Sequence, residues 1–297
     1  MLTNILINYG TKRKTKKENE EMATFATEIK RVYSEGLSKY GFKKIKGKQP
    51  YFVRPVGDEI VHIITYKTEK SFTRGYKRFV VYGGIATVYR AHINLEKTPR
   101  DNSAWLYNVY KFYKRSDAEN KTTDMYDKLT TFSYKEEDEA SMINSIKYSF
   151  EMTEKFVIPR LNEVVDMKKC VEFFDIYRST MLRLSEKNFG KGQNEYDYNE
   201  GLLNIFVYTV DEYAEKKRKA HEKWNEIILH DMKIGRNGFT IEEYERDRED
   251  GRNIMERQIN TFKKMVNDPE EHQRVMEEIE KRKIANIEIL RNYGIDI

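Results

Sequence analysis

Between Gly41 and Arg90 the chain alternates short apolar-aromatic runs with basic turns, a pattern that predicts an antiparallel meander. The runs are Tyr51-Phe52-Val53-Arg54, Ile60 to Tyr66, and Phe79 to Tyr89. Ile60-Val61-His62-Ile63-Ile64 is apolar on both parities, as a central strand covered on both faces should be. In the third run Phe79, Val81 and Ile85 share one parity, and Val80, Tyr82 and Val88 the other. Gly83-Gly84 interrupts it, which predicts a bulge or a close backbone approach. Residues 68–78 read as a polar hairpin loop, while Trp105 to Tyr113 and Lys128 to Tyr134 read as two further strands.

Helical spacing brackets this core. Phe25, Ile29, Val32, Tyr33, Leu37 and Tyr40 form one stripe that starts after Thr24, and Gly41 stands where a left-handed cap belongs. Glu136–Glu139 opens a helix carried by Met142, Ile146, Phe150, Thr153 and Val157, with Pro159 expected to end it. A further helix is predicted from Met167 to near Leu184. Beyond it lie four helical stretches: Leu202–Glu215, His221–Ile234, Ile241–Val266 and Glu270–Tyr293, the last announced by Asp268-Pro269. The expected fold is α+β: an N-terminal helix and an antiparallel sheet flanked by helices, followed by a C-terminal all-α domain. The boundaries read as a basic segment 1–22, an α+β domain 23–184, a linker 185–199 and a helical domain 200–297.

Charge divides the chain the same way. Residues 1–184 carry 34 Lys/Arg against 24 Asp/Glu, whereas residues 185–297 carry 20 against 25, so the front is basic and the rear acidic. Fifteen of the 21 tyrosines also lie in the front part, which implies two different surfaces. The single cysteine, Cys170, excludes an internal disulfide framework and fits a reducing, cytoplasmic compartment. No apolar run approaches the roughly 20 residues that span a bilayer, so no membrane partner is expected. Leu2–Tyr9 reads as a short strand or an ordering contact.

Several short patterns together resemble a known family. They are Leu37 with Gly41-Phe42-Lys43-Lys44, Tyr51-Phe52-Val53-Arg54, Val61 to Lys67, Phe79-Val80-Val81-Tyr82-Gly83-Gly84-Ile85, and Val157-Ile158-Pro159-Arg160-Leu161. Over residues 28–174 the chain resembles the uncharacterised bacterial family called domain of unknown function 4304. That resemblance implies a small α+β domain and no activity.

Motifs for chemistry fail on their required atoms. Arg74-Gly75-Tyr76-Lys77-Arg78-Phe79 echoes an RNA-recognition strand, but two residues separate its aromatics, which sends Tyr76 and Phe79 to opposite faces. A looser form, basic and aromatic residues on an open sheet face, remains a nucleic-acid reading. Gly36 and Gly41 have phosphate-loop spacing, yet Phe42 replaces the lysine. Gly190-Lys191-Gly192 lacks a third glycine, and the Asn237–Tyr244 stretch lacks the oxygens of a calcium loop. Glu222, Glu226 and His230 share a helix face without the Glu-x-x-His pairing of a di-metal bundle. His62 and His92 read as core or rim histidines, and Cys170 as a buried thiol.

The resulting expectation is a non-catalytic macromolecule-binding protein, of accessory or immunity type, with no cofactor and no metal. Its binding residues are expected to be Tyr51, Arg54, Tyr66, Lys67, Arg78, Tyr82 and Arg90, because tyrosine and arginine combine large contact area with directed hydrogen bonds. Lys12, Arg13, Lys14, Lys16 and Lys17 are the candidate phosphate-binding arm. A protein is the first expected partner and nucleic acid the alternative, with homo-oligomerisation through the C-terminal helices as a further route. An enzyme, a nuclease or hydrolase without a readable motif, is the second alternative.

Overall fold

The computed structural model describes residues 24–47, 49–90, 93, 95, 105–115, 125–177, 202–235 and 240–297. The segments 2–9 and 12–17, His92, residues 185–199 and residues 237–239 lie outside the described residues.

The fold is α+β, an antiparallel sheet flanked by helices with a helical C-terminal region. Helix α1 (Phe25–Ser38) begins at Thr24, whose hydroxyl accepts the Thr27 N–H, and buries Ile29, Tyr33, Gly36 and Leu37. It ends at Gly41, where φ is 79° and the Phe42 N–H reaches back to the Leu37 carbonyl. That left-handed turn directs the chain into the sheet.

Strands β1 (Lys43–Lys44), β2 (Tyr51–Val56), β3 (Ile60–Glu69), β4 (Tyr76–Thr87) and β5 (Trp105–Asn108) are neighbours in that order, all antiparallel. The last strand, β6 (Phe132–Lys135), also pairs with β4. β4 shares one edge between two partners: β6 takes Tyr76–Phe79 and β5 takes Tyr82–Ile85. This sharing corrects the strand expected over 105–113. With the next stretch of that edge occupied by β6, the chain leaves the sheet after Asn108 and forms helix α2 (Val109–Arg115), where the Asn108 side-chain Oδ1 accepts the Lys111 N–H. The strand expected over 128–134 is likewise shortened, because helix α3 (Met125–Thr130) runs up to Thr130. The loop expected over 68–78 is tighter, since β3 and β4 extend into it from both sides.

Helix α4 (Glu139–Met152) starts under an Asp138 cap, as its acidic prelude predicted. Pro159 does not end the helical run. A π turn over Thr153–Val157 passes directly into α5 (Ile158–Asn162), with Pro159 near its start. The wider turn relieves the clash a proline ring makes with the preceding turn's carbonyl. Helix α6 (Met167–Tyr177) follows.

Away from the hairpin end, both sheet faces are buried. Cross-strand partners share a face, so Phe52, Ile64, Tyr66, Val81, Phe79 and Phe132 lie on one side. There Phe25 of α1 approaches the Phe79 ring at 5.1 Å, and Tyr33 approaches Phe52 at 6.1 Å. The opposite side carries Tyr51, Val53, Val61, Ile63 and Ala86, which join one buried cluster with Met265, Val275, Ile279, Leu290 and Ile295 of the C-terminal region.

That region holds three long helices: α7 (Val210–Lys233), α8 (Ile241–Asn267) and α9 (Pro269–Asn292). α7 replaces the two helices expected over 202–234, because nothing between 215 and 221 breaks a helix; a separate helical turn at 202–204 precedes it. Reciprocal capping boxes, Thr209 with Glu212 and Thr240 with Glu243, set the starts of α7 and α8, and Asp268 caps α9. Asn286 ties α9 to the sheet. Its Nδ2 donates to the Val88 and Arg90 carbonyls at 2.8 and 2.9 Å, and its Oδ1 accepts the Ile93 N–H at 2.8 Å. Among the described residues, no helix is long and apolar enough to cross a membrane.

Candidate macromolecule-binding surface

The seven residues expected to form one binding face do not assemble there. Tyr51 is fully buried on the sheet side shared with the C-terminal cluster, a correction to its expected exposure. Tyr66 lies on the other side beneath α1, within 6.3 Å of Phe25 and 6.1 Å of Tyr33, and burial pushes its hydroxyl up to about 12. Tyr82 is half-buried in the middle of β4, and Arg90 follows the far end of that strand.

Arg54 is occupied internally. Its guanidinium donates to the Tyr40 carbonyl at 2.9 Å and to the Asn162 side chain at 2.7 Å, and lies 4.6 Å from the Phe42 ring centre. The same group donates to His62 Nδ1 at 2.8 Å, while His62 Nε2 faces the Val164 carbonyl at 2.9 Å. A carbonyl only accepts, so Nε2 carries the proton, Nδ1 is the acceptor, and His62 is neutral. Burial first, and the adjacent Arg54 charge second, hold the imidazole down to about 4. This pair welds the end of α1 and the α5–α6 connection onto β2 and β3.

Lys67 and Arg78 remain together, at the hairpin end of the sheet. The β3–β4 register sets Lys67 opposite Val80 and Glu69 opposite Arg78; the β4–β6 register sets Arg78 opposite Ser133 and Tyr76 opposite Lys135. One face of this end therefore carries Lys67, Glu69, Tyr76, Arg78, Ser133 and Lys135, with Tyr76, Ser133 and Lys135 exposed. The turn beyond is built by Ser71, whose hydroxyl accepts the Thr73 N–H, and by Gly75 at a φ of 75°. Lys70, Phe72, Arg74 and Lys77 stand out from it.

Phe72 is 91% exposed, at the tip of a hairpin flanked by cations. The Arg78 guanidinium lies 5.7 Å from its ring centre and donates to Thr131 Oγ1 at 3.0 Å. Lys77 pairs with Glu136 at 2.9 Å, both side chains about half exposed, an arrangement that contributes little to stability. The hairpin was legible as a loop, but Phe72 as its exposed apex was not. The available signal was a large apolar ring set between turn-forming Ser71 and Thr73.

The groups weighed for chemistry stand apart. Glu222, Glu226 and His230 are exposed on α7, and among the described residues no group of three or more His, Cys, Asp or Glu side chains is placed to hold a metal ion. Cys170 is fully buried, which raises its thiol well above the range where a thiolate forms. Tyr76 and Phe79 point to opposite faces, one exposed and one sealed. Comparison with family models, curated proteins and solved structures finds no match to the chain.

Proposed function

We propose that the protein is a non-catalytic macromolecule-binding protein whose contact surface is the basic, aromatic hairpin end of its sheet. Exposure of Phe72 on that hairpin is the observation that carries the reading. The ring stands with exposed Tyr76 among clustered cations, and a partner that covers it removes its apolar surface from water. The reading moves the expected surface from the central tyrosines to the distal end of the same sheet.

Photo-cross-linking tests it. Phe72→p-benzoylphenylalanine in the full chain should give macromolecular adducts in native lysate, while the same probe at Ile284, exposed on α9, should not give them. Equal labelling at both positions, or none at 72, would remove the hairpin as a contact surface.

A second reading, self-association through the C-terminal helices, is favoured by Ile227 on α7, by Ile234 at its C-cap seven residues later, and by Ile241 at the start of α8, all three exposed. Light scattering of the full chain should then show a dimer that Ile227→Lys with Ile234→Lys dissociates.

A further inference from the structure

Resting on the hairpin reading, we infer that its partner is single-stranded nucleic acid, with Phe72 and Tyr76 as stacking rings and the surrounding cations as phosphate contacts.

The composition of the patch selects the partner class. Specific protein–protein interfaces bury about 800 Å² per partner around a desolvated apolar centre. At the hairpin end the exposed large apolar side chains are Phe72 at 91% and Tyr76 at 37%. The other exposed apolar groups, Val165, Phe206, Ile227, Ile234, Ile241, Met276 and Ile284, belong to other elements. Two rings separated by charges make a poor apolar centre but a good stacking site, because every base offers a flat face and its own phosphate.

Charge points the same way. Lys67, Lys70, Arg74, Lys77, Arg78 and Lys135 gather on this end, against Glu69 opposite Arg78 and Glu136 on Lys77. Glu137 and the helix cap Asp138 follow Glu136 in the chain, and Glu139 opens α4. The cations thus outnumber the carboxylates set directly among them. Arg78 sits over the Phe72 ring, so the guanidinium stiffens the ring from one side and leaves the other for a base. A duplex fits less well, since its bases are already stacked on one another and offer Phe72 and Tyr76 no free face.

Fluorescence anisotropy with a labelled, mixed-sequence single strand of roughly 15 nucleotides, as RNA and as DNA, against a matching duplex, tests the inference. The single strands should bind more tightly than the duplex, with affinity falling steeply with salt at a slope of about −0.7 per phosphate contacted. Phe72→Ala should weaken binding about tenfold and Phe72→Trp should restore it. Lys70→Ala with Arg74→Ala should weaken binding and flatten the slope by about 1.4. All three positions are exposed, and unchanged circular dichroism confirms the fold.

Absent or salt-independent binding, preference for the duplex, or an unaffected Phe72→Ala variant overturns the inference. Nuclease digestion of the adducts formed at position 72 separates it from the reading beneath it. Adducts that are protein, with no oligonucleotide binding, sink nucleic acid as the partner and leave the hairpin as a contact surface; no adduct sinks both.

Discussion

His62 is the side chain whose protonation should matter most for stability. It is neutral in the fold, held down to about 4 by burial and by Arg54, whereas an unfolded histidine titrates near 6.5. Between those values the unfolded chain takes up a proton that the folded chain refuses. Its stabilising contribution is therefore complete above about pH 6.5 and disappears as the pH falls toward 4. Urea unfolding should show a loss on the order of 2 kcal/mol between pH 7 and pH 5, and His62→Gln should flatten much of that dependence. Asn286 makes a different demand. Asn286→Leu strands the Ile93 N–H and the Val88 and Arg90 carbonyls in the interior, and the urea midpoint should report a cost of about 3 kcal/mol. At this scale the sequence showed that His62 lies in an apolar strand, but not that Arg54, eight residues earlier, would meet it. That pairing follows from the β2–β3 register, which sets Arg54 opposite His62.

Among the elements, Gly83 has the clearest reason to be glycine. The β3–β4 register runs through it without a bulge, and the position serves close approach instead. A Cβ there would meet Val157 Cγ1 at 2.2 Å and the Phe112 ring at 3.5 Å, so the π turn sits directly on the strand. Gly83→Ala should destabilise by about 2 kcal/mol, and Val157→Ala in the same chain should recover part of the loss; additive costs in a double-mutant cycle would refute the contact. Gly36 does the same for α4, since a Cβ on it would overlap the Phe150 ring. Periodicity revealed α1, the central strands and the C-terminal helices. It failed where neighbours decided: nothing local in residues 105–113 says that β6 will occupy the remaining edge of β4. The capping box at Thr240 agrees with the start that periodicity gave, Ile241, whereas the box at Thr209, readable from spacing alone, locates a start that periodicity had put at Leu202.

For the whole molecule, the decisive fact is that β-sheet and C-terminal helices share one buried cluster. The tyrosine-rich front looked like a platform because sequence parity separates two faces of a strand without saying what covers them. Cover for the face of Tyr51, Val53 and Ile63 includes residues more than 200 positions later, beyond the reach of any local pattern. Removing residues 269–297 should therefore lower the stability of the sheet itself and raise binding of a hydrophobic dye, whereas an independently folded front would keep its unfolding midpoint. The basic front and acidic rear then describe the outside of a shared interior.

The Asn286 link to Val88 spans 198 positions. At roughly 5–20 residues per second, a ribosome needs on the order of 10–40 s to make the intervening chain. Throughout that interval the nascent sheet has one greasy side without its lid, and this is when a chaperone would find the most to hold.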